Sequence, residues 1–219
     1  MVYIGKKEIF LQAMYKFTPE IIDKLLSQED YNQLSEDIVA KKHLEAPYDQ
    51  EAYFQYTEVN FNRASKTIRN FQLDKKLYNA VSEGINDWTW VLISEPWCGD
   101  ASFIQPVLYA MSLASGGNID FKIALRDTHP DIMNCYLTNG GMAIPKLVCL
   151  DKNLNEIGTW GPRPEALQKE FAEWKKSPDF DLNTKIKMLN RWYIKDKDQH
   201  IQAEFIDLIK TWKKTQNVK

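Results

Sequence analysis

The chain has 219 residues, of which 44% are hydrophobic, and it carries a formal net charge of −2 at pH 7. Seven Trp, ten Tyr and ten Phe can fill a substantial core, so these values predict one folded domain with helical additions. They exclude a strongly basic nucleic-acid-binding protein, and no apolar run in the sequence is long enough to span a membrane.

The cysteines and the N-terminal residues indicate a compartment. Cys98, Cys135 and Cys149 are odd in number and are not spaced like a disulfide framework, which favours a reducing environment. The N-terminal residues lack a positive region followed by an apolar stretch and a small-residue cleavage site, so we expect no signal peptide. The sequence therefore predicts a cytoplasmic protein.

Helices are predicted throughout the first third of the chain. Thr18-Pro19-Glu20 is typical of a helix start, with Thr18 as N-cap and Pro19 at the first helical position. Apolar residues then continue at helical spacing as far as Leu26. Further helices are predicted over residues 29–43, 50–70 and 74–86, and Pro47 marks a break between the first two of these.

The middle of the chain changes to strands that alternate with helices. Apolar runs and turn residues predict strands over 88–94, 119–125, 146–150 and 156–160, and helices over 98–114, 130–138 and 164–176. The last two strands form a hairpin through Asp151-Lys152-Asn153. This order predicts the α/β class, with a mixed sheet flanked by helices.

From Asp181 onward the sequence has no Gly or Pro and predicts two amphipathic helices, with a break at Asp196-Lys197-Asp198. Their apolar faces pack on the domain, and binding of a partner is the alternative. We predict three units: a helical N-terminal extension over 1–74, a central domain over 75–177, and a C-terminal helical extension over 178–219.

The most informative functional motif in the sequence is Glu95-Pro96-Trp97-Cys98-Gly99-Asp100-Ala101. It follows a strand and opens a helix, where unpaired backbone N–H groups and the helix dipole favour thiolate over thiol. A buried, inert cysteine is the alternative. Because the Trp-Cys-Gly sequence stands at a strand-to-helix junction, we expect a solvent-reachable thiol at Cys98.

With three further features the chain resembles the thioredoxin superfamily. Pro106 resembles the helix-kinking proline of that family, Ile144-Pro145 its cis-proline, and Gly161 the glycine before its last helix. The resemblance covers about residues 75–177 and implies a thioredoxin-like sheet with helical extensions at both ends. The motif at Cys98 and Trp160-Gly161-Pro162-Arg163-Pro164 are also similar to a bacterial thioredoxin-like branch with extra helices.

The resemblance implies a docking groove for an extended substrate chain. In thioredoxin-like proteins the backbone before the cis-proline faces outward and pairs with that chain. The residues expected to form this surface are Trp97, Gly99, Ile144, Pro145, Trp160, Gly161 and Arg163. For Trp97 and Trp160, plain packing is the alternative.

The sequence departs from the family at three positions. Ala101 stands where the second cysteine of the pair belongs, so a mixed disulfide would persist until an outside thiol arrives. Leu92 stands where a thioredoxin has a buried acid that helps to move the proton. Asp100 replaces the usual proline. It either stabilises the helix N-terminus or takes part in the chemistry of Cys98, where its charge raises the thiol pKa or its carboxylate accepts a proton.

The remaining cysteines, histidines and arginines give weaker functional signals. We interpret Cys135 and Cys149 as core residues that lie too far from Cys98 to resolve its mixed disulfide. No Cys/His spacing predicts a metal site. Arg126 and Arg163 could hold an acidic group, such as a carboxylate of glutathione, with local ion pairs as the alternative. Glutathione is thus a candidate co-substrate, and no cofactor is expected.

The sequence leaves three functional hypotheses. The first is monothiol chemistry, in which Cys98, assisted by Asp100, forms mixed disulfides with protein or low-molecular-weight thiols. The second is a non-catalytic binding module that docks a peptide beside Ile144. The third is a glutathione-linked iron–sulfur carrier. Neither nucleic acid nor membrane is an expected partner.

Overall fold

The structure is a computed structural model that describes residues 15–41, 46, 48–178 and 180–216. Its sheet has four strands, in the order β2-β1-β3-β4. Strand β1 pairs in parallel with β2 and antiparallel with β3, and β3 pairs antiparallel with β4. The bounds are β1 Trp88–Ser94, β2 Ile119–Leu125, β3 Lys146–Leu150 and β4 Glu156–Trp160.

Helices surround this sheet, which confirms the α/β class with helical extensions. They are α1 Pro19–Ile22, α2 Gln28–Val39, α3 Glu51–Asn70, α4 Lys75–Ser82, α5 Ala101–Ala114, α6 Pro130–Asn134, α7 Glu165–Trp174, α8 Leu182–Asp196 and α9 Gln199–Gln216. The break between α8 and α9 lies where the sequence predicts it, and Lys197 and Asp198 both have positive φ. The predicted break at Pro47 lies outside the described residues.

The position of the central strand β1 accounts for its clear sequence pattern. All seven of its residues are buried, because helices cover both of its faces and strands lie on both of its edges. A strand in that position needs a continuous apolar run, and Trp-Thr-Trp-Val-Leu-Ile-Ser supplies one. Strand β1 then delivers the chain directly to the turn that holds Cys98.

The predicted helix from Thr18 to Leu26 is wrong in its length. Helix α1 ends at Ile22, and Leu26 instead forms an antiparallel bridge with Ile123 of β2. Two backbone hydrogen bonds join them, at 3.0 and 2.8 Å. Without them this stretch of β2 would be an open sheet edge, so satisfying its backbone groups outweighs the local helical pattern.

The C-terminal helices pack against the sheet with their apolar faces. Helix α9 buries Phe205, Ile209 and Trp212, and the ring of Trp212 contacts those of Trp88 and Trp90 at centroid distances of 6.1 and 6.4 Å. Gly158 in β4 makes this approach possible, because a Cβ placed there would lie 1.9 Å from Nε1 of Trp212.

We therefore predict that Gly158→Ala destabilises the protein by about 2 kcal/mol or more, since Trp212 and the core around it must move. Urea denaturation measures the free energy of unfolding. Gly99→Ala is the matched control, because a Cβ at Gly99 meets nothing within 4 Å, and its expected effect is within about 0.5 kcal/mol. Equal stability of the two variants would contradict the packing described for α9.

Candidate functional site

The residues that follow β1 form a turn, and Cys98 lies in that turn. Its backbone N–H donates to the carbonyl of Glu95 at 3.0 Å, and its own carbonyl accepts from the N–H of Ser102 at 3.3 Å. The predicted helix start at residue 98 is wrong, since α5 begins at Ala101. Cys98 therefore lies just outside the first turn of α5, on the side of its free N–H groups.

The thiol is covered, and the expectation of a solvent-reachable Cys98 is wrong for this structure. Cys98 is only 7% exposed. Helices α2 and α3 lie over the turn, and the side-chain amide of Asn60 donates to the carbonyl of Pro96 at 3.1 Å. Between them and Cys98 is a cavity of about 30 Å³, enough for about one water molecule, lined in part by Tyr31 and Ser102. The N-terminal extension thus closes the site.

The loop before β3 meets the thiol through its backbone. Sγ of Cys98 donates to the carbonyl oxygen of Ile144 at 3.5 Å, and the Ile144–Pro145 peptide bond is cis. The carbonyl that we expected to face outward is therefore directed at the thiol, and the side chain of Ile144 is buried. The residue before the cis bond and the cysteine are nevertheless in direct contact, as the resemblance implies.

Gly161 fixes the position of that loop from the other side. Its φ is +114°, and a Cβ on it would lie 2.4 Å from the carbonyl oxygen of Pro145. Both the backbone conformation and the space exclude any side chain at this position. Gly99, in contrast, is exposed with open space around it, so it leaves room for another chain to approach the turn.

Burial controls the protonation of the thiol. Burial, with a smaller contribution from the negative charge of Asp100, raises the pKa of Cys98 to about 12, although the N–H groups of Ala101 and Asp100 and the charge of Arg163 lower it. The helix-terminal stabilisation that the sequence predicts is present but weaker than the loss of hydration. At neutral pH Cys98 is a thiol, not a thiolate.

Asp100 and Arg163 form a closed ion pair beside this thiol. The guanidinium donates from Nη2 to Oδ2 of Asp100 at 2.6 Å and from Nε to both carboxylate oxygens at 3.0 Å. The hydroxyl of Tyr193, from α8, donates to Oδ1 at 2.9 Å. Asp100 makes no side-chain capping bond to α5, and its carboxylate is held by this pair. Arg163 is therefore already occupied and is not a free carboxylate binder.

The two tryptophans have different positions. Trp97 is partly exposed, with the guanidinium of Arg126 4.5 Å above its ring and Tyr53 of α3 edge-on at 5.5 Å. Trp160 is buried against Phe205, and its indole N–H donates to Glu204 at 2.7 Å. The predicted role of Trp160 at the docking surface is therefore wrong, because α9 covers that side of β4.

Glu95 is the buried acid of this site, and its role is not predicted from the sequence. Glu95 is fully buried and accepts hydrogen bonds from the hydroxyl of Tyr48, at 2.5 Å, and from the backbone N–H of Asp127, at 2.8 Å. Burial raises its pKa to about 7, although both hydrogen bonds lower it. The available signal was an acidic residue directly after a continuous apolar strand. Leu92 cannot act as the buried acid, but Glu95 supplies a buried carboxyl at the same turn.

The other thiols are no partners for Cys98. Cys149 is fully buried in β3 opposite Trp90, and Cys135 is partly exposed beyond α6, where its Sγ donates to the carbonyl of Asp131 at 3.5 Å. All three cysteines are free. Within the described ranges there is no group of three or more His, Cys, Asp and Glu side chains that could hold a metal ion.

Two substitutions test how charge sets the thiol pKa. We expect Asp100→Asn to lower the pKa of Cys98 and to raise its alkylation rate at pH 8 about 10-fold, and Arg163→Gln to lower that rate. Iodoacetamide labelling of Cys98 in folded protein, followed by peptide mass spectrometry in a Cys135→Ser background, measures both. Because both variants break the same ion pair, mere loosening would accelerate both, and that result would contradict the electrostatic account.

Glu95 predicts a specific pH dependence of stability. Its carboxyl holds a proton in the folded state up to a pH of about 7, whereas the unfolded chain releases it near 4.5. Stability should therefore fall as the pH rises through this window, by at most about 3 kcal/mol, and Glu95→Gln should remove that fall. Urea denaturation from pH 4.5 to 8 measures the free energy of unfolding of the wild type and of Glu95→Gln. In the difference between the two values, the contributions of the other titrating groups cancel. Parallel curves would contradict the raised pKa.

The structure is similar to PA1234, a protein of unknown function from Pseudomonas aeruginosa, with a TM-score of 0.59 and 18% identity over 90% of this chain and 98% of that one. An HIV epitope-scaffold is similar over the same shares, with a TM-score of 0.55 and 18% identity. None of the curated proteins matches the chain. Residues 46–175, more than half of the sequence, match a family model described as thioredoxin, and the chain therefore belongs to this thioredoxin family.

Proposed function

We propose that this protein is a monothiol member of its family, which forms mixed disulfides through Cys98 and does not reduce disulfides as a dithiol. The observation that carries the proposal is the contact between Sγ of Cys98 and the carbonyl of Ile144, next to a cis bond and below an open Gly99. Ala101 is buried at the position of the second cysteine, so no neighbouring thiol completes a pair.

The proposed reaction is a single thiol–disulfide exchange. Cys98 loses its proton to water, and its thiolate attacks one sulfur of a disulfide on a protein or a small thiol. The old S–S bond breaks as the new one forms, and the other sulfur leaves as a thiolate that takes up a proton. Cys98 is thereby oxidised and the leaving thiol is reduced, with no other reactant.

The closed site implies slow capture and a long-lived product. With a pKa of about 12, only a small fraction of Cys98 is thiolate at neutral pH, so attack is slow. The same high pKa makes Cys98 a poor leaving group, so an external thiol that attacks the partner sulfur releases it slowly. Slow release is consistent with the absence of a resolving cysteine.

The same features indicate the partners of Cys98 and the compartment of the protein. We infer protein or low-molecular-weight thiols as partners, glutathione among them, and a reducing, cytoplasmic location. No described helix is long and apolar enough to cross a membrane. Trp97 with Arg126 remains as a flanking surface after Trp160 and Arg163 are assigned to packing. The motif at Cys98 supports membership of the bacterial branch with extra helices.

One observation favours a second function, a non-catalytic binding module. The thiol is buried, protonated and bonded to Ile144, which is also what a purely structural cysteine would do. In that case the surface beside Gly99 and Trp97 would dock a peptide without covalent chemistry.

Glutathione disulfide separates the two functions. We expect reduced protein at pH 8 to gain the mass of one glutathione on Cys98 over hours, and the adduct to be released more slowly by added glutathione than an adduct on the more exposed Cys135. Intact-mass and peptide mass spectrometry measure both. Cys98→Ser and Cys135→Ser are the matched controls. If no adduct forms on Cys98, and a captured peptide partner survives both Cys98→Ser and reducing agent, the binding module is the correct function.

A further inference from the structure

A large groove lies between α3 and α8, and Cys98 is not among its lining residues. Its volume is about 810 Å³, which is within the usual range of small-molecule sites. Val59, Arg63 and Lys66 form the α3 wall, and Tyr193, Ile194 and Lys197 form the opposite wall. The groove is thus built by the two helical extensions, whose purpose the thioredoxin-like sheet does not explain.

The charge of this groove is opposite to that of the protein. Arg63, Lys66 and Lys197 line it, against Asp198 as the one acid among its lining residues. The whole chain carries a net charge of −2. A concave surface with a local positive excess concentrates anions at that place.

Arg63 is the residue that points to a ligand. Its Nη1 donates to Oδ1 of Asn60 and to Oγ of Ser102, both at 2.9 Å, and its guanidinium lies 4.6 Å from the ring centroid of Phe103. The N–H groups on Nε and Nη2 have no hydrogen-bond partner in the described part of the chain, and no carboxylate there pairs with Arg63. Burial lowers the pKa of this guanidinium. The charge of Asp100 also acts on Arg63 and raises its pKa, but no hydrogen bond joins the two side chains. A partly buried cation with free donors is a suitable site for an oxyanion.

Beside the charged residues and four polar ones, the lining of the groove has apolar and aromatic side chains. Val59 and Ile194 are 55% and 68% exposed on the facing walls. The rings of Phe103 and Tyr193 are stacked beneath them, with centroids 4.4 Å apart and planes within 11° of parallel. The exposed side chains of Val59 and Ile194 can cover a flat or branched hydrocarbon group that is bound next to Arg63, and the buried ring pair forms the floor below it.

We propose that this groove binds a small organic anion, in which one anionic group bonded to Arg63 is joined to an apolar body that lies between Val59 and Ile194. Lys66 and Lys197 add attraction at the rim. The proposal does not depend on the reactivity of Cys98, because the thiol is not among the residues that line the groove.

The probe for this proposal is 1-anilinonaphthalene-8-sulfonate, and its matched neutral analogue is N-phenyl-1-naphthylamine. We expect saturable 1:1 binding of the sulfonate to folded wild-type protein, at least about 10-fold tighter than binding of the neutral analogue. Fluorescence titration measures both affinities, and near-UV circular dichroism verifies that the protein stays folded.

Four variants test the site. Arg63→Gln and Ile194→Glu should each weaken sulfonate binding about 10-fold, and Arg63→Gln should leave the neutral analogue unchanged. Arg191→Gln, an exposed arginine of α8 outside the groove, removes the same charge and should have no effect. If Arg63→Gln fails to fold, the exposed Ile194 decides the question. Cys98→Ser should bind like wild type, which separates this result from the thiol chemistry.

The proposal is overturned if no saturable binding occurs, if the neutral analogue binds as tightly as the sulfonate, or if Arg191→Gln weakens binding as much as the groove variants do.

Discussion

The ion pair between Asp100 and Arg163 is the contact on which the site depends. Taking both charges out of water costs several kcal/mol, and good geometry with further hydrogen bonds must offset that cost. Arg163 supplies three contacts, and the hydroxyl of Tyr193 supplies a fourth to the same carboxylate. One pair therefore joins the turn after Cys98, the loop after β4 and the C-terminal extension. The position of α8 is part of the site, not an addition to it.

The sequence predicted the sheet well because its signals are local. Strand β1 reads as a continuous apolar run, and turn residues separate β3 from β4, so their bounds required no knowledge of distant residues. The failure at Leu26 has the opposite cause. Its pairing with Ile123 joins residues far apart in the chain, and an unsatisfied sheet edge outweighed the helical spacing nearby.

The candidate site was predictable in its backbone and much less in its side chains. The cysteine turn, Ile144-Pro145 and Gly161 were found from motifs, and the structure brings them together. The partners that set the chemistry are remote in sequence: Arg163 is 63 residues from Asp100, Tyr193 is 93, and Tyr48 is 47 residues from Glu95. No pattern within one segment specifies such contacts. Trp160 was assigned to the surface for the same reason, since only the packing of α9 shows that it is covered.

Burial reverses the usual consequence of placing a cysteine before a helix. The N–H groups of Asp100 and Ala101 still favour the thiolate, but helices α2 and α3 remove the water that would stabilise it far more. The pKa of the thiol therefore rises although the motif is retained. A high pKa slows attack and also slows departure, so the two effects change the lifetime of a mixed disulfide more than its equilibrium. In a dithiol protein the second cysteine would shorten that lifetime, and with Ala101 nothing in the turn does. In the proposed exchange, the helical extensions and the missing cysteine thus act in the same direction, toward capture and away from turnover.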